Sequence, residues 1–353
     1  MSHQDIQDII ARIRPLDSAA MKAARARQNQ LTKPAGSLGR LEDLSIQVAG
    51  ITGQPRPRII HKAVITCAGD HGVVAEGVSA FPQEVTPQMV ANILAGGAAV
   101  SVLARQMGAR LAVVDVGVAV ALPPHPNLYP FKVAYGTSNL AQGPAMTREQ
   151  AIRSIEVGIA ALECELSAGL DLVATGEMGI GNTTPATAIA AVLTGLPVSE
   201  LVGRGTGVDD AGLARKIRAI EQGLRVNQPD PTDALDVLGK VGGLEIGAIA
   251  GIVLGAAAHR IPVVVDGLIS TAGALIAARL CPQVKDYVIA SHTSVEPGHR
   301  AMWDCLGCEP LLNLHMRLGE GTGAVLAMNL VEAACRILDE MATFESASVS
   351  GKE

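Results

Sequence analysis

The sequence has few aromatic residues and no excess of positive charge. Aromatic residues make up 2% of the 353 residues, and the formal net charge is −6. Proteins that bind nucleic acids need a basic face, and those that bind single strands also use aromatic side chains on which the bases stack. This composition excludes that class, so we predict that the chain has no nucleic-acid partner.

Long apolar runs, a secretion signal and a second metal-binding cysteine pair are also missing. The longest apolar stretch, residues 246–258, is shorter than a membrane-spanning helix, and residues 1–16 carry charges in an amphipathic helical pattern. Among six cysteines, only Cys305 and Cys308 have the spacing of a zinc-binding pair, and no second pair accompanies them. These absences predict a cytoplasmic protein with reduced thiols, no bound metal and no membrane contact.

Two common nucleotide-binding motifs are absent as well. No Gly-x-x-x-x-Gly-Lys-[Ser/Thr] sequence occurs, and Gly176, Gly179 and Gly181 do not have the spacing of the dinucleotide-binding glycines. Kinase and dehydrogenase functions are therefore disfavoured, and we predict no cofactor.

The chain is rich in apolar residues that are grouped into short runs. Hydrophobic residues make up 48% of the sequence, and alanine- and leucine-rich segments with helical periodicity separate the runs. Continuous apolar runs that alternate with helices are typical of buried parallel strands in an α/β fold. The predicted strands lie at residues 63–68, 111–114, 170–174, 262–265 and 287–290.

The two ends of the chain are predicted to be helical and to lack strands. We expect residues 1–30 plus 325–353 to form a small helical domain and residues 31–324 to form the large α/β domain. Residues 121–132, with four prolines, are expected to form a long loop, and residues 342–353 are expected to fray.

Residues 176–186, Gly-Glu-Met-Gly-Ile-Gly-Asn-Thr-Thr-Pro-Ala, carry the strongest local signal for a ligand site. They follow an apolar run and precede an alanine-rich segment, which predicts a strand, a glycine turn and a helix start. Asn182 is a typical N-cap residue, and Pro185 suits the first position of a helix. Glycines and free helix N–H groups favour an anion, while Glu177 favours hydroxyls or a positive centre. The segment therefore suits a ligand that has both a phosphate and such groups.

Other candidate residues each have two interpretations. Glu320 lies between two glycines and is either a general base in a pocket wall or a solvated loop carboxylate. Lys216 follows the glycine-rich residues 203–210 and either reaches a phosphate or belongs to a solvated helix face.

Asp266 either accepts a hydrogen bond from a ribose hydroxyl or caps a helix. His292, near two further potential ligands (Glu296 and His299), either binds a metal or belongs to a turn that binds a substrate, and the second is favoured.

Taken together, these segments are similar to one enzyme family. The sequence resembles the nicotinate-nucleotide:dimethylbenzimidazole phosphoribosyltransferases, which make the lower-ligand nucleotide of cobalamin. The matching segments are residues 33–42, 68–78, 176–186, 203–210, 266–274, 291–299 and 317–323.

The resemblance implies a fold, a reaction and a set of site residues. The large domain would be Rossmann-like, the protein a homodimer, and the substrates nicotinate mononucleotide and benzimidazole-type bases such as 5,6-dimethylbenzimidazole. Glu320 would be the general base and Glu177 would lie beside the ribosyl centre. The resemblance places Gly179, Gly205, Lys216 and Ser294 around the phosphate and ribose, and Gln88, Met178 and Leu318 along the base pocket, with Ser79 and Phe81 near that wall. The alternative is a non-catalytic protein that binds a nucleotide or a corrinoid-pathway compound with the same glycine loops.

Overall fold

The computed structural model describes residues 6–350, and in this range it has one six-stranded sheet surrounded by helices. The strands are β1 (Lys62–Gly69), β2 (Arg110–Gly117), β3 (Leu128–Tyr129), β4 (Leu172–Met178), β5 (Val263–Val265) and β6 (Val288–Ala290). The α-helices are α1 (Ile6–Arg12), α2 (Ser18–Gln28), α3 (Arg40–Thr52), α4 (Val85–Leu94), α5 (Ala99–Gln106), α6 (Arg148–Ser167), α7 (Thr183–Thr194), α8 (Val198–Leu201), α9 (Asp210–Asn227), α10 (Ala234–Val241), α11 (Leu244–Ala258), α12 (Leu268–Leu280), α13 (Pro297–Leu306) and α14 (Thr322–Glu340). Two 3-10 helices span Gly72–Glu76 and Pro282–Tyr287.

The sheet is parallel throughout and is buried on both faces. Its strand order is β3-β2-β1-β4-β5-β6, and every neighbouring pair is parallel. Alternate residues of β1 face different cores: Ile65 belongs to the cluster that includes residues of α6, α11 and α12, whereas Val64 belongs to the cluster that includes residues of α3, α5 and α14. Burial of both faces explains why the strands have continuous apolar sequences. The predicted α/β fold with helices flanking a parallel sheet is confirmed.

Three local predictions differ from the structure. Strand β3 lies inside the proline-rich segment that the sequence predicts to be only a loop. Strand β4 continues through Met178, because Ala68 of β1 still pairs with Met178, so the glycine turn begins at Gly179, three residues later than the predicted start at Gly176. Helix α7 starts at Thr183, which makes Pro185 its third residue and not its first.

The two ends of the described chain pack against each other and against the sheet. Helix α2 contacts α3 and α14, and the Arg27 side chain donates to the carbonyl oxygen of Leu338 at 2.5 Å. Leu31 and Thr343 form an isolated antiparallel bridge. Helix α14 also contacts β4 and β5, so it covers part of the sheet. The division into a terminal helical domain and a large domain stays a prediction, and its residues 1–5 and 351–353 lie outside the described part.

One segment within residues 6–350 is long and apolar enough to cross a membrane, judged by length and composition only. This segment, Val85–Gln106, consists of α4 and α5 and the four residues between them. A single match of this kind is weak evidence for a membrane span.

Candidate active site

A cavity of about 380 Å³ lies at the carboxyl ends of β4, β5 and β6. This edge of a parallel sheet is where α/β proteins usually bind ligands, and the volume is in the range of small-molecule sites. The lining residues are Phe81, Val85, Met89, Glu177, Met178, Gly179, Ile180, Asn182, Thr183, Gly205, Thr206, Gly267, Leu268, Ile269, His292, Ser294, Glu296, Arg317, Leu318, Gly319 and Glu320.

Glu320 is a buried carboxylate in the cavity wall, with 5% of the residue exposed. Its backbone has φ = 63°, in the left-handed region that glutamate rarely adopts. The Val100 N–H, at the start of α5, donates to Glu320 Oε2 at 3.3 Å. Burial raises the pKa of Glu320, and the hydrogen bond from Val100 acts in the opposite direction. A carboxylate with a raised pKa in a cavity is a suitable proton acceptor.

Glu177, the penultimate residue of β4, is a second buried carboxylate in the wall. The Asn182 side-chain amide donates to Glu177 Oε2, and Oε1 lies against Gly319, where a Cβ would overlap it. Burial raises the pKa of Glu177 to about 8, with the Asn182 hydrogen bond acting in the opposite direction. A carboxyl group with this pKa is mostly protonated at neutral pH, and a cation beside it would favour its ionised form.

The end of the cavity near α7 has the features of an anion site. Thr183, the first residue of α7, lines the wall together with Gly205. Directly behind them, Lys216 Nζ donates to Thr183 Oγ1 at 2.6 Å and to the Gly203 carbonyl oxygen at 3.1 Å. Gly205 has no side chain, and the point at which a Cβ would lie is 3.2 Å from Lys216 Nζ. A phosphate oxygen beside Gly205 would therefore be within reach of this ammonium group and of the start of a helix.

Lys216 is fully buried, and a carboxylate partly compensates its charge. Burial lowers the pKa of Lys216 to about 8, and the Glu296 carboxylate acts in the opposite direction. Glu296 Oε1 accepts from the Gly205 N–H at 3.0 Å. A bound phosphate would add negative charge near the lysine and so favour its protonated form.

The turn after β6 brings further polar groups to the cavity. His292 and Ser294 line the wall, whereas His299 lies behind them. The Ser294 N–H donates to His299 Nδ1 at 2.9 Å, and burial lowers the pKa of His299 to about 3. Over residues 6–350 no group of three or more His, Cys, Asp or Glu side chains is arranged to hold a metal ion.

The cavity wall also has an apolar part, which we call the apolar slot. Met178 and Leu318 contribute to it, and Phe81 and Leu318 are 51% and 58% exposed at its mouth. The apolar lining residues are Phe81, Val85, Met89, Met178, Ile180, Leu268, Ile269 and Leu318. An apolar slot beside two carboxylates suits a flat heterocycle with ionisable ring nitrogens.

The structure brings most of the predicted site residues to this one cavity. The predicted residues in its wall are Glu177, Met178, Gly179, Gly205, Ser294, Leu318 and Glu320. Three others lie off the wall. Gln88 is exposed on α4, because Val85 and Met89 occupy the side of that helix that meets the cavity. Lys216 lies behind the wall, as described above.

Asp266 is the third predicted residue that lies off the wall; the structure supports its role as a helix cap, for a different helix from the one that follows it, and not the ribose contact. Its Oδ2 accepts from the Gly321 N–H at 3.0 Å and its Oδ1 from the Ala324 N–H at 2.9 Å. It therefore caps α14, whereas its own helix α12 has Gly267 at the N-cap position. With both oxygens occupied and 1% of the residue exposed, Asp266 is not placed to accept from a ribose.

Sequence reasoning missed several wall residues. Arg317 lines the cavity, and its Nη1 donates to the Gly205 carbonyl oxygen at 2.9 Å, which joins two glycine-rich loops. Its position directly before Leu318 and Gly319 could have identified Arg317 as a site residue from the sequence. Val85 and Met89 were also missed, although their i,i+4 spacing on a helix puts them on one face.

Comparisons with known proteins identify the family. A family model described as Phosphoribosyltransferase matches residues 13–349. The chain belongs to this phosphoribosyltransferase family. A relative from Chloroflexus aurantiacus, 62% identical over 98% of this chain and 99% of its own length, is named nicotinate-nucleotide–dimethylbenzimidazole phosphoribosyltransferase. A relative of the same name from Geobacter sulfurreducens is 57% identical over 98% of both chains.

A solved structure agrees with this phosphoribosyltransferase assignment. The crystal structure of a Thermus thermophilus protein, titled with the same enzyme name, superposes with a TM-score of 0.91 at 48% identity, covering 96% of this chain and 100% of that one. The family resemblance predicted from the motifs is confirmed, and the chain is an enzyme of this family.

Proposed function

We propose that the enzyme transfers the 5-phosphoribosyl group of nicotinate mononucleotide to 5,6-dimethylbenzimidazole, giving α-ribazole 5′-phosphate and nicotinate for cobalamin synthesis. One observation carries the proposal: the buried carboxylate of Glu320 lines the same cavity as an apolar slot and an anion-binding end. The names of the relatives support the same pair of substrates.

The donor would bind with its phosphate at the end near α7. Gly205 and Ser294 line this end, and Lys216 lies just behind it. The ribose would then lie across Gly179 towards Glu177. Glu177 would face the positive charge that develops on the ribosyl ring as its bond to the pyridinium nitrogen breaks. Because nicotinate leaves from a cationic ring nitrogen, the departing group needs no general acid, and the proposed reaction needs no cofactor or metal.

The acceptor would occupy the apolar slot formed by Met178, Leu318 and their neighbours. One ring nitrogen attacks the anomeric carbon, and the proton on the other nitrogen must leave as that bond forms. Glu320 would accept this proton, since its carboxylate lines the cavity and its pKa is raised by burial. Attack on the face opposite the leaving group converts the β-linked donor into an α-linked product.

Release of nicotinate tests the function against the binding-protein alternative. We expect nicotinate to appear from nicotinate mononucleotide only when dimethylbenzimidazole is also present, with an equal amount of α-ribazole 5′-phosphate. Chromatography of both products in reactions with and without the base measures this. Tight binding of the mononucleotide with no nicotinate released in either reaction would instead favour the non-catalytic alternative.

The subunit arrangement and the location of the protein are also proposals. We propose a homodimer, as the family resemblance implies, and a cytoplasmic location. Light scattering of the purified protein would test the first of these.

Binding of the donor should depend on pH through Glu177. Because the pKa of this carboxyl is raised to about 8, it is mostly protonated at pH 7 and must lose its proton to face the pyridinium cation. We expect the Kd for nicotinate mononucleotide to fall as the pH rises from 7 to 8, by up to about tenfold per pH unit, and to level off above that. Titration calorimetry at several pH values measures this change.

The matched control is Glu177→Gln, which cannot ionise. Lys216 loses its positive charge over the same pH range, which should weaken donor binding as the pH rises. The wild-type curve must therefore be compared with that of the variant. In Glu177→Gln the improvement between pH 7 and pH 8 should disappear. Parallel curves for the two proteins would show that Glu177 does not face the cation.

A further inference from the structure

The backbone around Glu320 has an unusual conformation that needs outside support. Gly319, Glu320 and Gly321 have φ values of 82°, 63° and 107°, so three consecutive residues are in the left-handed region. Glycine adopts this region easily, but a glutamate there costs on the order of 1–3 kcal/mol and persists only where the surroundings hold it. The conformation turns the Glu320 side chain into the cavity wall.

Strand β1 supplies the first support. The Thr66 hydroxyl donates to the Glu320 carbonyl oxygen at 3.0 Å, and Thr66 is fully buried. Gly176, which pairs with Thr66 in the sheet, lies against the same peptide, because a Cβ at that position would overlap the Glu320 carbonyl oxygen. The carbonyl group of Glu320 is thus fixed by the Thr66 hydroxyl on β1 and by close contact with Gly176 on the neighbouring strand β4.

The second support comes from the end of β5. Asp266 directly follows that strand. One of its carboxylate oxygens accepts a hydrogen bond from the Gly321 N–H and the other from the Ala324 N–H. Most N-cap carboxylates belong to the residue just before their own helix, but the residue at that position of α14 is Gly321, which has no side chain. A distant strand therefore supplies the cap and fixes the peptide that follows Glu320.

We propose that Asp266 and Thr66 are positioning residues that hold the Glu320 carboxylate in place for proton transfer, and that neither contacts the substrates. This inference rests on the proposed role of Glu320 as the base. Displacement of a catalytic group by about 1 Å can cost on the order of 10²-fold in rate, so loss of either support should act on turnover more than on binding.

Removal of one hydrogen bond from each support tests the proposal. Asp266→Asn keeps the shape but presents an amide N–H₂ to one of the two backbone N–H groups. Thr66→Val keeps the shape but loses the hydroxyl, and Thr66→Ser retains it. We expect Asp266→Asn and Thr66→Val each to lower kcat by about tenfold or more, with the KM for nicotinate mononucleotide changed less than about threefold, and Thr66→Ser to restore most of the turnover.

The readout that separates positioning from a general loss of structure is a double-mutant cycle with Glu320→Gln. If Asp266 acts only through Glu320, Asp266→Asn should lower the remaining activity of Glu320→Gln by less than about threefold. Asp233→Asn is the matched control, because Asp233 also accepts two backbone N–H bonds at a helix start but does not line the cavity. It should leave kcat unchanged.

The outcomes are distinguishable. Additive effects of Asp266→Asn and Glu320→Gln in the cycle would overturn the inference. A rise in KM with unchanged kcat for Asp266→Asn would also overturn it, because it would indicate that Asp266 contacts the donor directly. If Asp266→Asn does not fold, Thr66→Val and Thr66→Ser carry the same test, and equal activity of these two variants would overturn it. Near-normal turnover of Glu320→Gln alone would contradict the proposed base instead.

Discussion

Replacement of Glu320 by glutamine is expected to lower kcat by about 10²- to 10⁴-fold, the range that positioned proton transfer contributes. Glutamine keeps the size of the side chain and an oxygen that can accept the hydrogen bond from Val100, so the cavity should keep its shape. It cannot take a proton from the attacking benzimidazole. Steady-state rates with both substrates saturating, together with equilibrium binding of each substrate, measure the effect.

A second carboxylate provides the matched control for this variant. Glu296 also lines the cavity, but it lies at the anion end, where its Oε1 accepts from Gly205. Glu296→Gln should affect donor binding more than kcat. If Glu320→Gln turned over at nearly the normal rate while binding both substrates, Glu320 would not be the base.

Replacement of Lys216 by alanine should give the second large effect, a loss of donor affinity of about tenfold or more. Hydrogen bonds to charged groups are worth about 1.5–3 kcal/mol, and this ammonium group is held within reach of the space beside Gly205. Because the Lys216 ammonium group lies behind the anion end of the cavity, at Thr183 and Gly203, binding of dimethylbenzimidazole should change little. Calorimetric titration with each ligand separately measures the difference.

Two further variants separate charge from packing. Lys216→Met keeps the length of the buried side chain without its charge and should lose donor affinity as Lys216→Ala does. Lys132→Met removes another lysine that pairs with a buried carboxylate, Asp115, away from the cavity, and it should leave both affinities unchanged. Equal weakening of donor and base binding by Lys216→Ala would exclude Lys216 from the phosphate site.

The sequence was sufficient to predict the main strands because burial on both faces makes them continuously apolar. Strands β1, β2 and β4 each have seven or eight residues in the structure, long enough for this signal. Strand β3 has only two residues and lies among prolines, so its pairing with β2 depends on the folded loop and not on local sequence. The longer extent of β4 likewise depends on its partner β1.

The candidate site was predictable where local backbone chemistry marks it. Glu320 is recognisable because the glycines on both sides allow the left-handed turn that exposes it to the cavity. The position of Gln88 on the exposed side of α4 was not predictable, because the rotation of α4 about its axis is set by packing and not by its sequence. The role of Asp266 was also not predictable, since its partners Gly321 and Ala324 lie more than fifty residues away and meet it only in the folded sheet.

The most direct test of the central claim is the identity of the product that forms together with nicotinate. Purified protein, nicotinate mononucleotide and dimethylbenzimidazole are incubated together, and the anomeric proton of the new nucleotide is observed by NMR. We expect one α-linked nucleotide per nicotinate released by the wild-type protein, and almost none from Glu320→Gln in the same time. A β-linked product, free ribose 5-phosphate in place of the nucleotide, or equal product from the two proteins would contradict this expectation.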